Sequence, residues 1–580
     1  MFYTKDHKTL NMFDPFEHLG PKRRKLLESS WAHLFREEIL PDLPVHELTG
    51  IYSELHGRPT KELYAMMGLM ILQQMHDLTD DDAVDQFTFN KKWHYALNVT
   101  GESDEEAYVS SKTLWSMRNI LTRHNLYRPL FESVTGKLAK VFDVDTSKQR
   151  IDSVHIQSNM RHLGRIGLFA TTIKKFLRNL KRHHKGLFNT LNQELTDRYT
   201  TRKGESAFSM VKPSESSRTL ETLAGDLFFL VERFHEYPDV PDMTSYQLMV
   251  RLLKEQCLVE DGGDGREVSV KPNREVPSDS LQSPSDPDAG YSGHKGKGYQ
   301  VQIAETYENS ADKSQPSLIT HVSVESADKS DAKALIPFIE DTKNRGLGPD
   351  EVLADTLYGG DENVEKAANE MQVEVVSPVK GPGPGKDKSV SLTDFTLSKS
   401  GKVISCPQGH APFRTKHKKE RHSAAFTIET CSTCPHVDDC PVKPGKNGYR
   451  LHYDDRAARL AKRRACERTS EFRERYRFRA GVEATMSYCD RKTGVKQLRV
   501  REIGAVSFCA FLKAASVNIL RAAVFKNSIN RDNGPSLPPY QPVLGLMDAV
   551  KELLSSTMDG FRTMLRPWCI YKGLPEKTAA

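Results

Sequence analysis

The sequence lacks the long uninterrupted hydrophobic runs that are typical of membrane proteins. Its most apolar stretch covers residues 504–525. Lys513, Asn518 and Arg521 interrupt that stretch, so we do not expect it to span a membrane. The first ten residues, MFYTKDHKTL, contain no apolar core and are not those of a signal peptide. The sequence therefore predicts a soluble protein of the cytoplasm.

Cysteine is scarce, and its number is odd. Nine cysteines occur in 580 residues, and four of them lie between residues 406 and 440. An odd count with one cluster argues against the disulfide framework of a secreted domain. The distribution instead favours a reducing compartment and a metal site.

Acidic residues are missing from one long segment, although the whole chain is nearly balanced in charge. The formal net charge of +6 is too small to indicate a nucleic-acid partner by itself. Residues 153–193, however, contain no Asp or Glu, and two further basic runs cover residues 414–421 and 456–479. One such run is most often a solvated helix face, but three in one chain favour a polyanionic partner.

A chain of this length exceeds what one hydrophobic core supports, so we expect two to four domains. Residues 20–140 have helical periodicity. This helical region could bind DNA ends, could mediate dimerisation, or could simply be a packed helical domain. Changes in composition and periodicity predict the following parts: an all-α domain over 1–140, a core with strands over 141–160 and 298–380, a helical basic insert and linker over 161–297, a cysteine-rich insert over 395–450, an arginine-rich helix and a closing helix over 455–525, and a tail over 526–580 with one short helix after Pro542.

The central part of the chain predicts a mixed sheet. Residues 148–157 alternate apolar and polar side chains, and residues 298–306 and 317–325 are close enough in sequence to pair as antiparallel strands. A helix over 329–344 precedes a short buried strand at 350–355, which suits a crossover to a parallel strand. The predicted class is α/β, with helices on both faces of the sheet.

Three acids lie where a strand or helix could hold them rigidly. Asp152 lies inside the first strand, Asp355 ends the strand EVLAD, and Glu483 lies within an arginine-rich helix predicted over 455–492. Three carboxylates from three elements suffice for two divalent cations of the kind that act on phosphodiesters. Each acid has a plainer reading, because a strand-end Asp is often a turn cap and a helix Glu is often an ion-pair partner.

Other polar residues near these acids are weaker candidates. Asp143 and Asp145 precede the most apolar alternation and lie in a turn-like stretch. Asp286 and Asp288 are loop acids beside proline, a pattern typical of turns. His155 and Asn159 follow Asp152 and are expected to be ordinary strand-end residues. These six residues are therefore secondary candidates for the site, after Asp152, Asp355 and Glu483.

The motifs RIDS, VLAD and Y-x2-R-x3-E together resemble the DDE transposases of bacterial insertion sequences over about residues 140–525. This resemblance implies an RNase H-like catalytic core, with Asp152, Asp355 and Glu483 as catalytic ligands of two Mg²⁺ or Mn²⁺ ions. It implies that Tyr476 and Arg479 complete the signature around Glu483. It further implies cleavage and joining of double-stranded DNA at terminal inverted repeats and at a target, by a homodimer on DNA in the bacterial cytoplasm, at the nucleoid.

On one continuous helix, positions 476, 479 and 483 would share a face, so that Tyr476 and Arg479 could hold a phosphate beside Glu483. One position departs from the family pattern. The family usually has a Lys seven residues after the Glu, where this chain has Asp490, with Arg491 and Lys492 next. A slip near the helix end could bring Arg491 into that role. The alternative prediction is a DNA-binding descendant with impaired catalysis.

The clustered cysteines predict a zinc site. Cys406-x24-Cys431-x2-Cys434-x5-Cys440 provides four thiols for tetrahedral Zn²⁺, and His410 or His436 could replace one of them. A redox C-x-x-C motif is the second reading, and a zinc-dependent hydrolase of another class is a third possible function. The acid-free segment supplies the other predicted DNA contacts, which are Lys174, Lys175, Arg178, Lys181 and Arg182.

Overall fold

The computed structural model describes residues 1–9, 14–52, 56–160, 163–199, 208, 211–262, 265–309, 314–381 and 390–532. The chain divides into two compact units, Met1–Ala523 and Val524–Ala580. The short helix predicted after Pro542 lies outside the described residues.

The N-terminal region is helical, as its periodicity predicts. Local caps explain where these helices begin: the Ser110 side chain accepts a hydrogen bond from the backbone N–H of Thr113, and Thr79 forms a capping box with Asp82. The α-helices are α1 (Pro21–Glu28), α2 (Trp31–Leu34), α3 (Leu63–Met75), α4 (Asp80–Phe89), α5 (Lys91–Ala96), α6 (Asp104–Ala107), α7 (Ser111–Arg123) and α8 (Tyr127–Val141).

A helical insert follows the first strand and has a hydrophobic core of its own, which includes Phe176, Leu227 and Leu252. The first strand, β1, covers Lys148–Gln157. The elements of the insert are α9 (Arg165–His183), α10 (Lys185–Asn189), α11 (Gln193–Tyr199), α12 (Ser216–Phe234), α13 (Thr244–Gln256), β2 (Cys257–Gly262) and β3 (Gly265–Val270). The strands β2 and β3 form an antiparallel hairpin.

The composition of residues 261–298, the last part of the predicted insert and linker, is typical of a linker, and that interpretation is wrong in part. Besides the β2–β3 hairpin, this stretch contains a third strand and the fully buried Asp286. Asp286 accepts hydrogen bonds from Tyr299 Oη at 2.5 Å, from the backbone N–H of Glu502 at 2.9 Å and from Ser158. Its turn residues therefore satisfy one another in a packed loop, which composition alone does not distinguish from a flexible one.

The central sheet is mixed, as predicted. It is built from β1, β4 (Gly290–Ser292), β5 (Gly296–Thr306), β6 (Ile319–Ser326), β7 (Glu351–Leu353) and β8 (Glu374–Val376), with α14 (Leu335–Asn344) and α15 (Asp361–Met371) between strands. The β5 strand pairs antiparallel with β1, β4 and β6, whereas β7 pairs parallel with both β1 and β8. The antiparallel pairing of 298–306 with 317–325 and the parallel crossover to 350–355 are both confirmed.

Helices cover both faces of this sheet, which follows from the alternation along β1. Val154 and Ile156 share a core with the N-terminal helices, whereas Ile151 points to the opposite face and packs with Phe338 of α14. Asp152 has the parity of Val154 and Ile156, so its side chain belongs to the first face. The division of the chain at residue 140 stays a prediction, because the N-terminal helices and the sheet share one core.

The elements of the cysteine region are β9 (Thr396–Leu397), β10 (Val403–Ser405), β11 (Arg414–Lys418), β12 (Arg421–Phe426), α16 (Ile428–Ser432), β13 (Lys443–Gly445) and β14 (Gly448–Asp454). Four of its strands form a small antiparallel sheet in the order β11-β12-β14-β13. Phe395, Phe426 and Leu451 form its core, against which Cys406, Cys431 and Cys440 pack.

The prediction of one continuous helix over 455–492 is wrong. The segment contains α17 (Asp455–Glu467), α18 (Ser470–Tyr476), a 3₁₀ turn (Arg477–Ala480) and α19 (Gly481–Thr493), followed by α20 (Ile503–Asp532). The break has a local cause, because Thr469 accepts a hydrogen bond from the backbone N–H of Phe472 and so starts a new helix. The arginine-rich composition favours helix over the whole segment, so its periodicity did not reveal this cap.

Within the part of the chain that the structure describes, α20 is the one helix long and apolar enough to cross a membrane. Its apolar window is 78% buried inside the protein. Asn518 explains this position: its side chain accepts a hydrogen bond from the backbone N–H of Ile319 at 2.7 Å and donates one to that residue's carbonyl at 2.8 Å. The helix therefore has the burial of a core helix.

Candidate active site

Asp152 on β1 and Asp355 just after β7 occupy equivalent positions along two adjacent parallel strands. The register of β1 with β7 pairs Lys148 with Glu351 and Arg150 with Leu353. Asp152 and Asp355 each lie two residues beyond the last of these pairs, Asp152 within β1 and Asp355 just after the end of β7. Since parallel strands are about 4.8 Å apart, the alignment brings the two predicted acids side by side.

Arg479 connects Asp152 to Glu483. One guanidinium nitrogen donates to Asp152 Oδ2 at 2.9 Å and another donates to Glu483 Oε1 at 3.0 Å. The Asp152 side chain is 16% exposed, whereas that of Glu483 is 68% exposed. A side chain on the 3₁₀ turn thus joins a strand acid to a helix acid that lies more than 300 positions away in sequence.

Burial raises the pKa of Asp152, and the Arg479 charge acts in the opposite direction. The neighbouring carboxylates of Asp355 and Asp331 raise that pKa further. These effects place Asp152 in a partly dehydrated site with several negative groups, which is the environment that a cation stabilises.

Tyr476 and Arg479 approach the acids from two separate elements and not from one face of a single helix. Tyr476 ends α18, and its ring stacks on Phe472 with a centroid separation of 5.5 Å. Burial raises the pKa of Tyr476, with additional effects from the charges of Asp355 and Asp152. Tyr476 therefore borders the acids from a separate helix, and the shared-face geometry of one helix does not apply.

A buried ion-pair network lies behind the site, and sequence reasoning missed it. Glu305 on β5 is fully buried and pairs with Arg150 at 2.6 Å and with Arg521 at 2.8 Å. Thr485 of α19 donates to the same carboxylate at 2.7 Å, and Arg150 donates to the carbonyl of Phe478 at 2.6 Å. The network ties the strand of Asp152 to the segment that carries Arg479 and Glu483.

A second polar group approaches Asp152 and Asp355 and was also missed. The buried Tyr358 hydroxyl donates to Gln302 Oε1 at 2.5 Å, and Gln302 donates to Asp331 Oδ1 at 2.9 Å. Burial raises the pKa of Tyr358, and the charges of Asp331, Asp152 and Asp355 add to the effect. A Tyr-Gln-Asp chain of this kind carries no motif in sequence, since its members are spread over 302–358.

The donor set suits a hard divalent cation. Three carboxylates and no thiol or imidazole are the groups that Mg²⁺ or Mn²⁺ prefers. Asp355 Oδ1 accepts from the backbone N–H of Leu357 at 2.8 Å, which leaves its other oxygen for a ligand. Among the described residues, the three His, Cys, Asp or Glu whose ligand atoms all lie within 4.8 Å of one another are elsewhere, at His417, His422 and Asp455. Arg479 thus links two of the three acids, Asp152 and Glu483, and the trio does not converge on a common ligand point.

Asp490, at the position of the family's usual Lys, has a structural role. Its side chain accepts from the backbone N–H of Lys496 at 3.1 Å, and its carbonyl accepts from Gly494, which ends α19 in the left-handed conformation. Arg491 and Lys492 are exposed at the end of the helix. No slip of the helix brings Arg491 to the face of Glu483.

Four of the six secondary candidates have structural partners, whereas both ring nitrogens of His155 are buried without a hydrogen-bond partner. Asp145 accepts from the backbone N–H of Ser147 at 2.8 Å in the turn before β1, and Asp288 accepts from the backbone N–H of Ile503 at 3.0 Å at the start of α20. Asp286 is the buried loop acid described above. Asn159 donates to the carbonyl of Arg499 at 3.0 Å.

The predicted DNA-contact residues of the insert lie on α9. Leu177 and Leu180 face the core of the insert, whereas Arg178, Lys181 and Arg182 are exposed. Lys175 is half-buried and donates to the carbonyl of Pro284, so its charge is directed to the packed loop instead of the exposed face. Lys174 is half-buried as well.

All four clustered cysteines line one small cavity of about 30 Å³, together with His410 and His436. Burial raises the pKa of Cys431 and Cys440, and the neighbouring thiols add to the effect. Four thiols and two imidazoles are groups that bind zinc, but among the described residues no three of their ligand atoms lie within 4.8 Å of one another. A redox pair would instead need a lowered thiol pKa.

Two segments of the chain match known transposase families. Residues 405–523 match the Transposase DDE domain, and residues 29–119 match the Transposase domain (DUF772). The chain carries two transposase domains. The resemblance to the DDE transposases of insertion sequences is thereby confirmed. No curated protein and no solved structure matches the chain.

The DDE match of this transposase covers part of the candidate site. It contains Tyr476, Arg479, Glu483 and the four clustered cysteines, whereas Asp152 and Asp355 lie before it. The other match covers the helices from α2 to α6 and most of α7, so this N-terminal region is similar to a transposase domain as well. The roles of the individual acids stay predictions.

Proposed function

We propose that this transposase cleaves DNA at the ends of a mobile element and joins the freed 3′ ends to target DNA. The observation that carries the proposal is the Arg479 bridge from Asp152 on β1 to Glu483 on α19, with Asp355 just after the neighbouring strand β7. The mixed sheet, with one acid on a central strand, one just after the neighbouring parallel strand and one on a later helix, supports an RNase H-like core.

Asp152, Asp355 and Glu483 would hold two Mg²⁺ or Mn²⁺ ions. When bound, such ions lower the pKa of the attacking hydroxyl and stabilise the leaving oxygen of an in-line displacement. In the first reaction, water attacks phosphorus and the bond to the 3′ oxygen breaks. In the second, the 3′-OH attacks a target phosphodiester, a new P–O bond forms and a target 3′ oxygen leaves.

The chain's own residues would position the nucleic acid. Arg479 is placed to exchange one carboxylate contact for a phosphate oxygen, and Tyr476 borders the same acids. The exposed bases of α9 and of Arg491 and Lys492 would supply salt-sensitive affinity for double-stranded DNA. Two element ends must be processed together, which favours a homodimer on DNA in the bacterial cytoplasm, at the nucleoid. The thiol cavity would hold one structural Zn²⁺.

The test is the cleavage of a supercoiled plasmid that carries the element's terminal inverted repeats, in Mg²⁺ or Mn²⁺. The wild type is compared with Asp355→Asn and with Asp145→Asn, a turn acid of the same chemistry. We expect nicking by the wild type and by Asp145→Asn, and none by Asp355→Asn.

A DNA-binding descendant without catalysis is the second candidate, favoured by Asp490 in place of the usual Lys. It predicts that the wild type and Asp355→Asn bind the repeats equally and that neither cuts. If Cys434→Ser abolishes cleavage at saturating Mg²⁺ while the fold is intact, a zinc-dependent hydrolase replaces both readings.

A further inference from the structure

A group of two histidines and one aspartate lies outside the acid trio and the thiol cavity. His417 and His422 are directly opposite each other on β11 and β12, and Asp455 is the first residue of α17. His422 Nε2 lies 2.5 Å from Asp455 Oδ1, and His417 Nε2 lies 3.3 Å from the same oxygen. Three potential ligand atoms from three elements therefore meet at one point.

The position of His422 is fixed by its surroundings. Its side chain is 1% exposed, and its ring stacks on Tyr453 of the neighbouring β14 with a centroid separation of 4.9 Å and an interplanar angle of 4°. The Tyr453 hydroxyl is itself held, since it donates to the carbonyl of Gly401 at 3.0 Å. Buried between a strand and a helix, His422 can present Nε2 in one direction only, toward Asp455.

The other two groups can adjust to a ligand. The side chain of His417 is 39% exposed and that of Asp455 is 36% exposed. The His417 ring stacks on His422 at a centroid separation of 4.0 Å, and rotation about its side-chain bonds turns Nε2 toward a shared ligand. Ligands of a tetrahedral zinc ion are about 3.3 Å apart for bonds of about 2.0–2.1 Å, close to the observed separation of His417 and Asp455.

We propose that His417 Nε2, His422 Nε2 and Asp455 Oδ1 form a binding site for Zn²⁺ or a similar late first-row divalent cation, separate from the acid trio and from the thiols. Two imidazoles with one carboxylate select such ions over Mg²⁺, which prefers oxygen donors alone. A bound metal would replace the direct contact between His422 Nε2 and Asp455 Oδ1, and Asp455 would move away from His422 to the spacing of two metal ligands.

The proposed site joins the tip of a basic hairpin to the start of a helix. The β11–β12 hairpin carries Lys416, Lys418 and Arg421, and the backbone N–H of Asp455 donates to the carbonyl of Glu420 in its turn at 2.9 Å. A bound cation would fix this hairpin against α17, at the N-terminal end of the helical segment that leads to Arg479. The prediction does not depend on DNA cleavage.

The experiment measures zinc binding to the full-length protein by competition with a chromogenic chelator at micromolar zinc. It compares the wild type with His417→Ala and Asp455→Asn, and with His452→Ala as the matched control. His417 and His452 are both exposed strand residues, and Asp454 rather than Asp455 caps α17, so these variants leave the fold intact.

We expect the wild type and His452→Ala to bind one equivalent of zinc more than His417→Ala and Asp455→Asn. In the Co²⁺-substituted protein, the lost equivalent should lack thiolate-to-cobalt absorption, which separates it from the cysteine site. Equal zinc stoichiometry in all four proteins would overturn the proposal, and so would a lost equivalent that carries the thiolate band.

Discussion

Arg479 is the residue on which the geometry of the candidate site depends. It pairs with a largely buried acid and an exposed acid at once, at 2.9 and 3.0 Å. A bidentate guanidinium can span two carboxylates in this way, whereas the single ammonium group of a lysine cannot. The charge of Arg479 also limits the rise in the pKa of Asp152 that burial causes.

Replacement of Arg479 by Ala should lower the plasmid nicking rate by about 10²-fold or more, the usual order for the loss of one positioned electrostatic contact. The pKa of Asp152 should rise without its counter-charge, so the acid limb of the pH–rate profile should move to higher pH. Arg479→Lys should retain part of the activity.

Arg477→Ala is the matched control for this substitution. Arg477 lies on the same 3₁₀ turn, is exposed, and pairs with Glu474 at 3.0 Å. Its removal should leave the nicking rate and the pH profile unchanged. An equal loss in both variants would mean that the turn needs positive charge in general and that the bridge has no special role.

Glu305 should make the protein sensitive to acid. Burial acts to raise the pKa of Glu305, but Arg521 and Arg150 together with their hydrogen bonds hold it below the usual value. The unfolded state therefore binds more protons than the folded state, so this contribution to stability is complete at neutral pH and is lost as pH falls through the lowered pKa.

Glu305→Gln should reduce the free energy of unfolding by about 3–5 kcal/mol at pH 7, since it leaves two arginines without a buried partner. Urea unfolding at several pH values measures the difference between the variant and the wild type, which should shrink toward acid pH. The exposed Glu340→Gln on α14 should change little. A difference that stays constant with pH would contradict the ionised state of Glu305.

At the scale of elements, the short 3₁₀ turn before α19 sets the position of the signature residues. Arg150 donates to the carbonyl of Phe478 in this turn, and Gly481 follows at the start of α19. A Cβ added at Gly481 would lie 2.1 Å from Arg150 Nη1. The backbone of Gly481 is that of an ordinary helix, and an added Cβ there would displace the Arg150 guanidinium from its present position.

Gly481→Ala should destabilise the protein by about 1–3 kcal/mol, the usual cost of overpacking, and should lower the nicking rate because Arg150 loses its contact with the turn. Gly136→Ala is the matched control in α8, where an added Cβ meets nothing within 4 Å. That control should be stabilising by up to about 1 kcal/mol. Thermal unfolding and nicking rates of both variants test the two expectations.

At the scale of the whole molecule, sequence predicts contacts that are local or periodic and misses those that are distant and irregular. Alternation placed the strands of the central sheet, and short connections gave the antiparallel pairing of β5 with β6. The break between α17 and α18 at Thr469 could not be seen in the sequence, because the helical composition of the segment is stronger than the signal of a single capping residue. Glu305 gave no signal, since its partners Arg150 and Arg521 are 155 and 216 positions away.

The charges of the molecule are separated in space more than its net charge indicates. The helix α9 contains no acid, and Arg178, Lys181 and Arg182 lie exposed on it while its apolar side packs in the insert. If this face follows a DNA backbone, each contact releases counterions, and the logarithm of the affinity falls by about 0.9 per phosphate contact for each unit of log salt concentration.

Replacement of all three of these residues by Ala should therefore reduce the salt dependence of DNA binding by up to about 2.7 in slope, with uniform loss of affinity across sequences. Binding of a repeat-containing duplex at several salt concentrations measures the slope. Lys22, Arg23 and Lys25 of α1 provide a matched exposed set for triple replacement. Both triple replacements remove the same net charge. An equal change in slope would therefore show that only the total charge matters. A change seen only with the α9 replacements would place the DNA backbone along this helix.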